Sequence, residues 1–424
     1  MMKKASADIL PECLIGKIVS YLSFKEAAKM SILSKTWLRS WFMHPNIDFK
    51  YLYNGRNLEL EIVDTIMDRY RDGKIPIDKF ELSYSDFSLI SQHIDKWLDI
   101  ALQNGIKYLF FEVHNFSLPI FTILAAKSLT ELIVDWCTLM PVSFSSVTNC
   151  NSLRKLSLTH VKLDENMLQT LLNCCPLIVS FIFHYCWGFK KIELLNLQKI
   201  KSVSIKYLKI QNCEDIEEID SSNLESLEYM GYKIPKLKIA RQLKHLKINL
   251  QCFSSLKAAW FCNLRKLLSN SISCPEISLD FSQCNGINLT DLRLHQEVAT
   301  PKVDVLNVNC TWSNGEYANS TSTWMNGQCR TFLDALLWSC HPRRLNIQST
   351  SATFKCFINS LIYMKNISKY SHWHCQLRLK RAQVYIFDDN TSQSWQPVEL
   401  NREELSIRSN CKWKMVNYYF LLDW

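Results

Sequence analysis

Glycine and proline are both scarce in this sequence of 424 residues, which contains 9 glycines and 11 prolines. Phosphate-binding loops of the P-loop and Gly-x-Gly-x-x-Gly types need glycine at fixed spacing, and neither pattern occurs. Long flexible linkers depend on glycine and proline too. The scarcity therefore argues against a nucleotide-binding loop and against loosely tethered domains.

Long apolar runs are also missing. No stretch approaches the ~20 apolar residues that a membrane span needs, and the amino-terminal sequence MMKKASADILPE has no apolar signal core. We therefore expect no membrane association and a location in the nucleus, the cytoplasm or both. The 17 cysteines are then expected to stay reduced.

Signatures of catalysis and of metal binding are absent from the sequence as well. There is no Gly-x-Ser-x-Gly, and no two cysteines are spaced as Cys-x-x-Cys, a strong zinc signal. His372 and His374 would share one face of a strand, but nothing nearby supplies two further ligands. We predict no catalytic residue, no cofactor and no metal site.

The composition is that of a protein that folds, with 47% hydrophobic and 21% charged residues. Its length allows two or three domains or one elongated repeat domain. Lysine and arginine exceed the acidic residues by 49 to 40, which gives a net charge of +9. The basic residues are scattered, and no basic helix with interleaved aromatics occurs, so a nucleic-acid partner is disfavoured.

The sequence Ile9–Phe49 predicts three short helices. Pro11 suits the first position of a helix, which has no amide partner to lose. Ser23–Glu26 has the form of a capping box, so a second helix is expected to start at Phe24. Ser34 can cap the third.

The apolar residues of these helices leave two interpretations open, an ordinary helical core and a docking surface. Three short helices cannot bury all of these residues among themselves, and an apolar surface that stays exposed marks a partner. The residues from which we expect some to remain on such a surface are Leu10, Pro11, Ile15, Leu33 and Trp37.

The same stretch resembles the F-box. The resemblance is carried by Leu10-Pro11, by the Ile/Leu positions that follow, and by Ser-Lys-x-Trp-x-x-x-Trp from Ser34 to Trp41. In that family the motif docks onto a Skp-type adapter of a cullin–RING ubiquitin ligase. The resemblance implies that the adapter-binding residues are Leu10, Pro11, Ile15, Ile18, Leu22, Leu33, Ser34 and Trp37. Leu22 and Trp41 are alternatively expected to hold the helices together.

Beyond residue 50 the pattern alternates between helix and strand. Apolar spacing predicts a helix over 58–71, and alternating patterns predict short strands at Lys79–Tyr84 and Tyr108–Val113. A frame of apolar residues, L-x-x-L-x-L, then recurs along the chain. Its instances are Leu129/Leu132/Val134, Leu153/Leu156/Leu158, Ile178/Phe181/Phe183, Ile205/Leu208/Ile210, Leu224/Leu227/Tyr229, Leu243/Leu246/Ile248, Leu289/Leu292/Leu294, Val303/Leu306/Val308 and Pro342/Leu345/Ile347.

Each frame predicts a short strand with one apolar face, and neighbouring repeats must stack to bury these faces. Cysteines stand three residues after the third apolar position at Cys137, Cys186 and Cys213. Leucine-rich repeats keep a small Asn or Cys there to bond the backbone of the turn. The frames resemble the irregular leucine-rich repeats of plant F-box proteins, which implies a curved parallel sheet with outer helices. A helix is expected within 254–271.

Two regions lie outside this pattern. The polar sequence 309–328 predicts a long loop, and its Trp312 and Trp324 are candidates for substrate contact or for packing against the repeats. The segment 370–424 resembles the FBD region that follows the repeats in many plant F-box proteins. It is expected to cap the repeats, and its apolar end, MVNYYFLLDW, is expected to pack.

We predict an α/β protein that consists of an F-box over 1–50, a helical linker with a first repeat over 51–105, a repeat solenoid over 106–350 and a cap over 351–424. The expected function is substrate recognition in a ubiquitin ligase of the SCF type, with a protein target, without catalysis. The alternative is a repeat scaffold outside any ligase.

Overall fold

The structure is a computed structural model. The residues that it describes are 10–50, 57–85, 90, 92–140, 150–194, 205–213, 216–239, 241–252, 256–281, 287–293, 299–310, 326–350, 357–363, 379, 381–387, 395–398 and 415–424. The chain divides into two compact units: the first is 1–189 with 194–205, and the second is 190–193 with 206–424.

The helices alternate with strands along most of the chain. They are α1 (Glu12–Ser20), α2 (Phe24–Met30), α3 (Lys35–Phe42), α4 (Asn57–Gly73), α5 (Ile94–Gln103), α6 (Ile120–Leu124), α7 (Glu165–Cys174), α8 (Ala258–Ser269), α9 (Leu289–Arg293) and α10 (Asn326–Ser339). Within the described residues, no helix is both long enough and apolar enough to span a bilayer.

The strands of the first unit are β1 (Asn46–Lys50), β2 (Lys79–Tyr84), β3 (Tyr108–Val113), β4 (Ser117–Leu118), β5 (Glu131–Asp135), β6 (Thr138–Leu139), β7 (Lys155–Thr159) and β8 (Ser180–His184). In the second unit they are β9 (Lys191–Glu193), β10 (Tyr207–Gln211), β11 (Glu218–Ser221), β12 (Ser226–Gly231), β13 (Lys236–Ile239), β14 (His245–Cys252), β15 (Glu276–Phe281), β16 (Lys302–Asn309), β17 (His341–Thr350), β18 (Arg381–Phe387), β19 (Trp395–Val398) and β20 (Met415–Asp423).

The first unit begins with the three predicted helices. The hydroxyl of Ser23 accepts a hydrogen bond from the amide of Glu26, and the carboxylate of Glu26 accepts one from the amide of Ser23. The predicted capping box at the start of α2 is therefore confirmed. The core that these helices share contains Ile15, Val19, Ala27 and Trp37, with Leu22, Met30 and Trp41 packed against it.

A parallel sheet follows in the first unit, with the strand order β1-β2-β3-β5-β7-β8. Leu109, Leu132, Leu156 and Phe181 are neighbours in register across four of these strands, and all four are fully buried. The predicted strands β2 and β3 have the predicted bounds. The sheet already starts at β1, whose Ile47 and Phe49 are buried.

In the second unit, β10, β12, β14, β15, β16 and β17 pair in parallel. β20 then pairs antiparallel with β17, and β18 and β19 continue the antiparallel edge. Tyr418, Phe420 and Leu422 of β20 are buried, so the predicted packing of the apolar end is confirmed. A smaller parallel sheet joins β9, β11 and β13.

One predicted frame is wrong. Leu289 and Leu292 lie on the short helix α9, and the strand between β14 and β16 is β15. Its frame is Cys274, Ile277 and Leu279, all buried, with cysteine in the place of the first leucine. The predicted helix within 254–271 is present as α8.

Candidate functional site

The first helix exposes one of its two apolar stripes. Leu10, Leu14 and Ile18 stand four residues apart, so they follow one another along one face. Leu10 is 41%, Leu14 47% and Ile18 38% exposed. Pro11 occupies the N-cap position of α1, one residue earlier than predicted, and is exposed too. We call Leu10, Pro11, Leu14 and Ile18 the docking face.

Two residues predicted to bind an adapter do not lie on this surface. Ile15 is fully buried and Trp37 is 6% exposed, because both fill the core between α1 and α3. Of the five residues from which some are expected on an outer surface, Leu10, Pro11 and Leu33 are exposed. Ile15 and Trp37 are not, and they hold the helices together instead. Leu22 packs against the same core, as Trp41 does, which agrees with the alternative prediction for these two residues.

The remaining predicted residues lie between α2 and α3. Leu33 is 45% exposed, and its neighbour Ile32 is 85% exposed. The hydroxyl of Ser34 accepts hydrogen bonds from the amides of Thr36 and Trp37, so it caps α3 as predicted. Leu14 and Ile32 were absent from the predicted set, although helical spacing from Leu10 places Leu14 on the exposed face.

His44 connects the helices to the sheet. It is fully buried, and its Nε2 lies 3.1 Å from the carbonyl oxygens of both Val19 and Leu22. Its Nδ1 contacts the backbone of Asn46 at the start of β1. The hydroxyl of Tyr70 on α4 donates a bond of 2.7 Å to the His44 carbonyl.

Arg69 strengthens the same junction. Its guanidinium lies 4.0 Å from the ring centroid of Phe42 and 5.2 Å from that of Trp41. These cation–π contacts pack α4 against the end of α3. Burial lowers the pKa of this guanidinium. The helices and the first strands therefore form one packed body within the first unit.

A second feature of the first unit lies at the carboxyl ends of three consecutive strands. Trp136, His160 and Tyr185 are the residues that follow β5, β7 and β8, and their rings stack in order. The centroid of His160 lies 3.9 Å from that of Trp136 and 5.0 Å from that of Tyr185, with interplanar angles of 13° and 9°. We call these three residues the aromatic ladder.

The backbone of the ladder is strained. The φ angles of Trp136, His160 and Tyr185 are +53°, +49° and +49°, in the left-handed region that bulky residues avoid. Asparagine tolerates this conformation, and Asn115 adopts it after β3. Each aromatic residue in this position costs about 1–3 kcal/mol, and such strain is concentrated at functional sites.

Cysteine thiols bond the backbone at the turns that follow β5 and β8. Cys137 donates to the carbonyl of Val113 and Cys186 to that of Leu158, as the repeat pattern predicts. Burial raises the pKa of Cys137 to about 12, so this thiol stays protonated and remains a donor at neutral pH.

Two family models match the chain. The F-box domain model matches residues 8–48, and the model described as At1g61320/AtMIF1, LRR domain, matches residues 70–270. The chain carries an F-box followed by leucine-rich repeats.

Curated relatives from Arabidopsis thaliana have the same organisation. The chain is 25% identical to the putative F-box/LRR-repeat protein At3g18150 over 68% of its own length and 62% of the relative. It is 28% identical to the putative F-box protein At1g49610, over 48% of its own length and 49% of that relative. It is 26% identical to the F-box/FBD/LRR-repeat protein At1g13570, over 52% of its own length and 58% of that relative. The predicted resemblance to plant F-box/leucine-rich-repeat proteins is confirmed, although the chain spans about half to three-fifths of these relatives.

The F-box match encloses the docking face, and the repeat match encloses the aromatic ladder. The substrate candidates Trp312 and Trp324 lie outside the described residues, as do His372 and His374. The predicted domain bounds, including the FBD-like cap over 351–424, stay predictions.

Proposed function

We propose that the chain is the substrate-recognition subunit of a cullin–RING ubiquitin ligase of the SCF type. In this proposal the F-box binds a Skp-type adapter, and the repeats bind a protein target and hold it for ubiquitination. Such a receptor performs no chemistry, because it acts by raising the effective concentration of the target near the ligase. The proposed location is the nucleus or the cytoplasm.

The docking face carries this proposal. α1 buries Ile15 and Val19 against the other F-box helices, yet it leaves Leu14 and Ile18 of the adjacent stripe in water. Leu10 and Pro11 extend the exposed line before the helix. A contiguous apolar line of this kind favours burial by a partner, and the F-box match supports the proposal of a Skp-type adapter as that partner.

The adapter-binding set that we propose is Leu10, Pro11, Leu14, Ile18 and Leu33. Ile15, Leu22, Ser34 and Trp37 support these residues from beneath, through the core and through the α3 cap. Burying a leucine or isoleucine side chain contributes about 1.5–3 kcal/mol, so two of them together account for a loss of more than tenfold in affinity.

The test compares two double variants with the wild type in binding to a purified Skp-type adapter. Leu10→Ala with Pro11→Ala, and Leu14→Ala with Ile18→Ala, are each expected to weaken binding at least tenfold by calorimetry. The matched control replaces two exposed apolar residues elsewhere, Ile62 and Ile272, by alanine. Thermal melts verify that every variant is folded.

Equal adapter affinity of the wild type and both double variants would show that the docking face is not the adapter site. No adapter binding by the folded wild-type chain would favour the alternative, a repeat scaffold outside any ligase. Cullin and adapter recovered with the wild type from plant extract, and lost with Leu14→Ala and Ile18→Ala, would support the ligase role.

A further inference from the structure

Arg344 of β17 lies on the partly exposed face of the sheet in the second unit, opposite the buried Leu345 and Ile347. Its register partners are Val305 on β16 and Leu421 on β20, so both flanking side chains are apolar. Arg344, Val305 and Leu421 are all half-buried. The guanidinium therefore lies on a partly dehydrated surface and not in open water.

Two tyrosine rings support the guanidinium. Its Cζ lies 4.1 Å from the ring centroid of Tyr419, which is within the range of a cation–π contact. Tyr419 in turn stacks on Tyr385, with 4.6 Å between the ring centroids and an interplanar angle of 9°. Because guanidinium is planar and stacks on aromatic rings, these contacts fix its orientation before any partner binds.

A chain of hydrogen bonds holds the same side chain from the neighbouring strands. Arg344 Nε donates to Asn346 Oδ1 at 2.8 Å, and Asn346 Nδ2 donates to Asn307 Oδ1 at 2.6 Å. Asn307 Nδ2 donates to Glu276 Oε1 at 2.9 Å, which ends the chain. Nε is the arginine nitrogen that this chain uses, so the Nη1 and Nη2 donors stay available to a partner.

The lysines on this face differ from Arg344, because each of them is paired. Lys209 lies 3.5 Å from Glu228, and Lys247 lies 3.1 Å from Glu276. Arg344 forms no ion pair with a carboxylate of the residues that the structure describes. A half-buried cation without a counter-ion is unfavourable, and a partner of opposite charge relieves this cost.

One guanidinium matches one carboxylate. The two oxygens of a carboxylate accept parallel bonds from two guanidinium nitrogens in a fork geometry, and such charge-assisted pairs are among the stronger hydrogen bonds. A phosphate group carries a charge of about −1.5 to −2 at neutral pH, which one arginine does not balance. The charge and the donors at Arg344 therefore favour a carboxylate.

We propose that Arg344 binds an aspartate or glutamate side chain of the protein target. This inference rests on the proposed function, since it gives the class of residue by which the repeats recognise the target. The carboxylate accepts hydrogen bonds from Nη1 and Nη2, and Val305 and Leu421 lie on either side of it. Arginine is enriched among the residues that dominate protein interfaces.

The test uses the full chain and labelled peptides of glycine and serine that contain two glutamates, two glutamines or two phosphoserines in otherwise identical sequences. The peptides are amidated at their carboxyl ends, so the carboxylates of the glutamate peptide are side chains. Binding is measured by fluorescence anisotropy. The glutamate peptide is expected to bind about fivefold more tightly than the glutamine peptide, and more tightly than the phosphoserine peptide.

Arg344→Gln is expected to remove the preference for glutamate over glutamine. Arg343→Gln is the matched control, because Arg343 is the exposed neighbour and its replacement changes the net charge equally. It should keep the preference, so a general attraction of acidic peptides to a chain of charge +9 is separated from a specific site. Arg344→Lys keeps the charge without the fork and is expected to weaken glutamate binding about threefold.

Val305→Glu tests the site without removing the arginine. A glutamate at this position lies beside Arg344 in the sheet register and supplies a carboxylate from within the chain. It is expected to abolish the preference for the glutamate peptide while the melting temperature is maintained. This variant keeps the inference testable if Arg344→Gln does not fold.

Equal binding of the glutamate and glutamine peptides by the wild type would overturn the inference, as would a preference that survives Arg344→Gln. Tighter binding of the phosphoserine peptide, or of a single-stranded oligonucleotide, would also overturn the choice of a carboxylate. Adapter binding is measured on the same preparation. A chain that binds the adapter but shows no preference for glutamate refutes the role of Arg344 alone, whereas a folded chain that does not bind the adapter refutes the proposed function.

Discussion

The hydroxyl of Tyr70 donates a 2.7 Å hydrogen bond to the backbone carbonyl of His44, and both residues are fully buried. The imidazole of His44 in turn contacts the carbonyl of Val19 in α1 and that of Leu22 after it, so one chain of bonds runs from α4 to the first two F-box helices. The F-box is thus fixed to the first repeats by buried polar groups, and its stability should depend on α4.

Tyr70→Phe should lower the free energy of unfolding by about 1–3 kcal/mol, because it leaves a buried carbonyl without its donor. The ring and its packing are retained, so the loss is that of the hydroxyl. Urea denaturation, followed by tryptophan fluorescence, measures the change. An unchanged midpoint would show that the bond contributes nothing. Tyr21→Phe, at a hydroxyl that is exposed on the surface, is the control.

The same residue should make stability depend on alkaline pH. Burial raises the pKa of Tyr70 to about 12, whereas an unfolded tyrosine titrates near 10. The folded chain therefore keeps this proton where the unfolded chain loses it. The resulting contribution of about 3 kcal/mol is complete below pH 10 and is lost as the pH rises through 12.

This loss is measured as the difference in unfolding free energy between wild type and Tyr70→Phe across pH 9 to 12. Other buried tyrosines titrate in the same range, and the difference removes their contribution. The difference in unfolding free energy between wild type and Tyr70→Phe should decrease as the pH rises. A constant gap would contradict a raised pKa for Tyr70.

Ile277→Ala should be far more damaging than Leu289→Ala. Ile277 is fully buried between Ile248 and Leu306 of the neighbouring strands, so its truncation leaves a cavity that costs about 2–5 kcal/mol. Leu289 is half-buried on α9, and its truncation should cost about 1 kcal/mol or less. Urea denaturation compares the two. Hydrogen exchange should show the loss of protection in β15 for Ile277→Ala, and equal effects would contradict the corrected frame.

Two glycines should respond to alanine in opposite directions. Gly188 has φ +98°, and an added Cβ would lie 2.5 Å from the carbonyl oxygen of Leu163. Gly188→Ala should therefore destabilise the chain by about 2 kcal/mol or more. Gly16 lies in α1 with nothing within 4 Å of an added Cβ, so Gly16→Ala should stabilise it by about 1 kcal/mol. Melting temperatures that shift the same way would refute this contrast.

Alkylation should distinguish the cysteines. Burial raises the pKa of Cys137 and of Cys274 to about 12, whereas Cys13 is exposed. The thiolate is the reactive form, so iodoacetamide at pH 8 should modify Cys13 in minutes and leave Cys137 and Cys274 intact. Peptide mapping by mass spectrometry gives the rates, and urea-unfolded protein supplies the control. Rapid modification of folded Cys137 would contradict its role in the turn.

The sequence predicts most of the repeats because their periodicity is local. Alternation of polar and apolar residues over Lys79–Tyr84 leaves one apolar face to bury, and the strand has those bounds. Cys274 shows where this reasoning fails. A buried cysteine replaces the leucine that the frame requires, while Leu289 and Leu292 keep a spacing of three that a helix also satisfies.

The F-box shows a second limit of local reasoning. α1 has two adjacent apolar stripes, Leu14 with Ile18 and Ile15 with Val19, and both have helical spacing. Which stripe faces inward depends on contacts with α3, which sequence spacing does not contain. The aromatic ladder was missed for a related reason, since the left-handed conformation that aligns its rings is typical of asparagine rather than tryptophan.

Because β17 pairs antiparallel with β20, the edge of the sheet is completed only by the last strand to be synthesised. β17 is the last parallel strand of the second unit, and its free side is covered by a strand that follows only after residues 351–414. On the ribosome, this edge stays open until β20 has emerged. A chain terminated before residue 415 would expose its unpaired backbone groups to other chains. Loss of the last strand should therefore produce an aggregating protein rather than a shortened receptor.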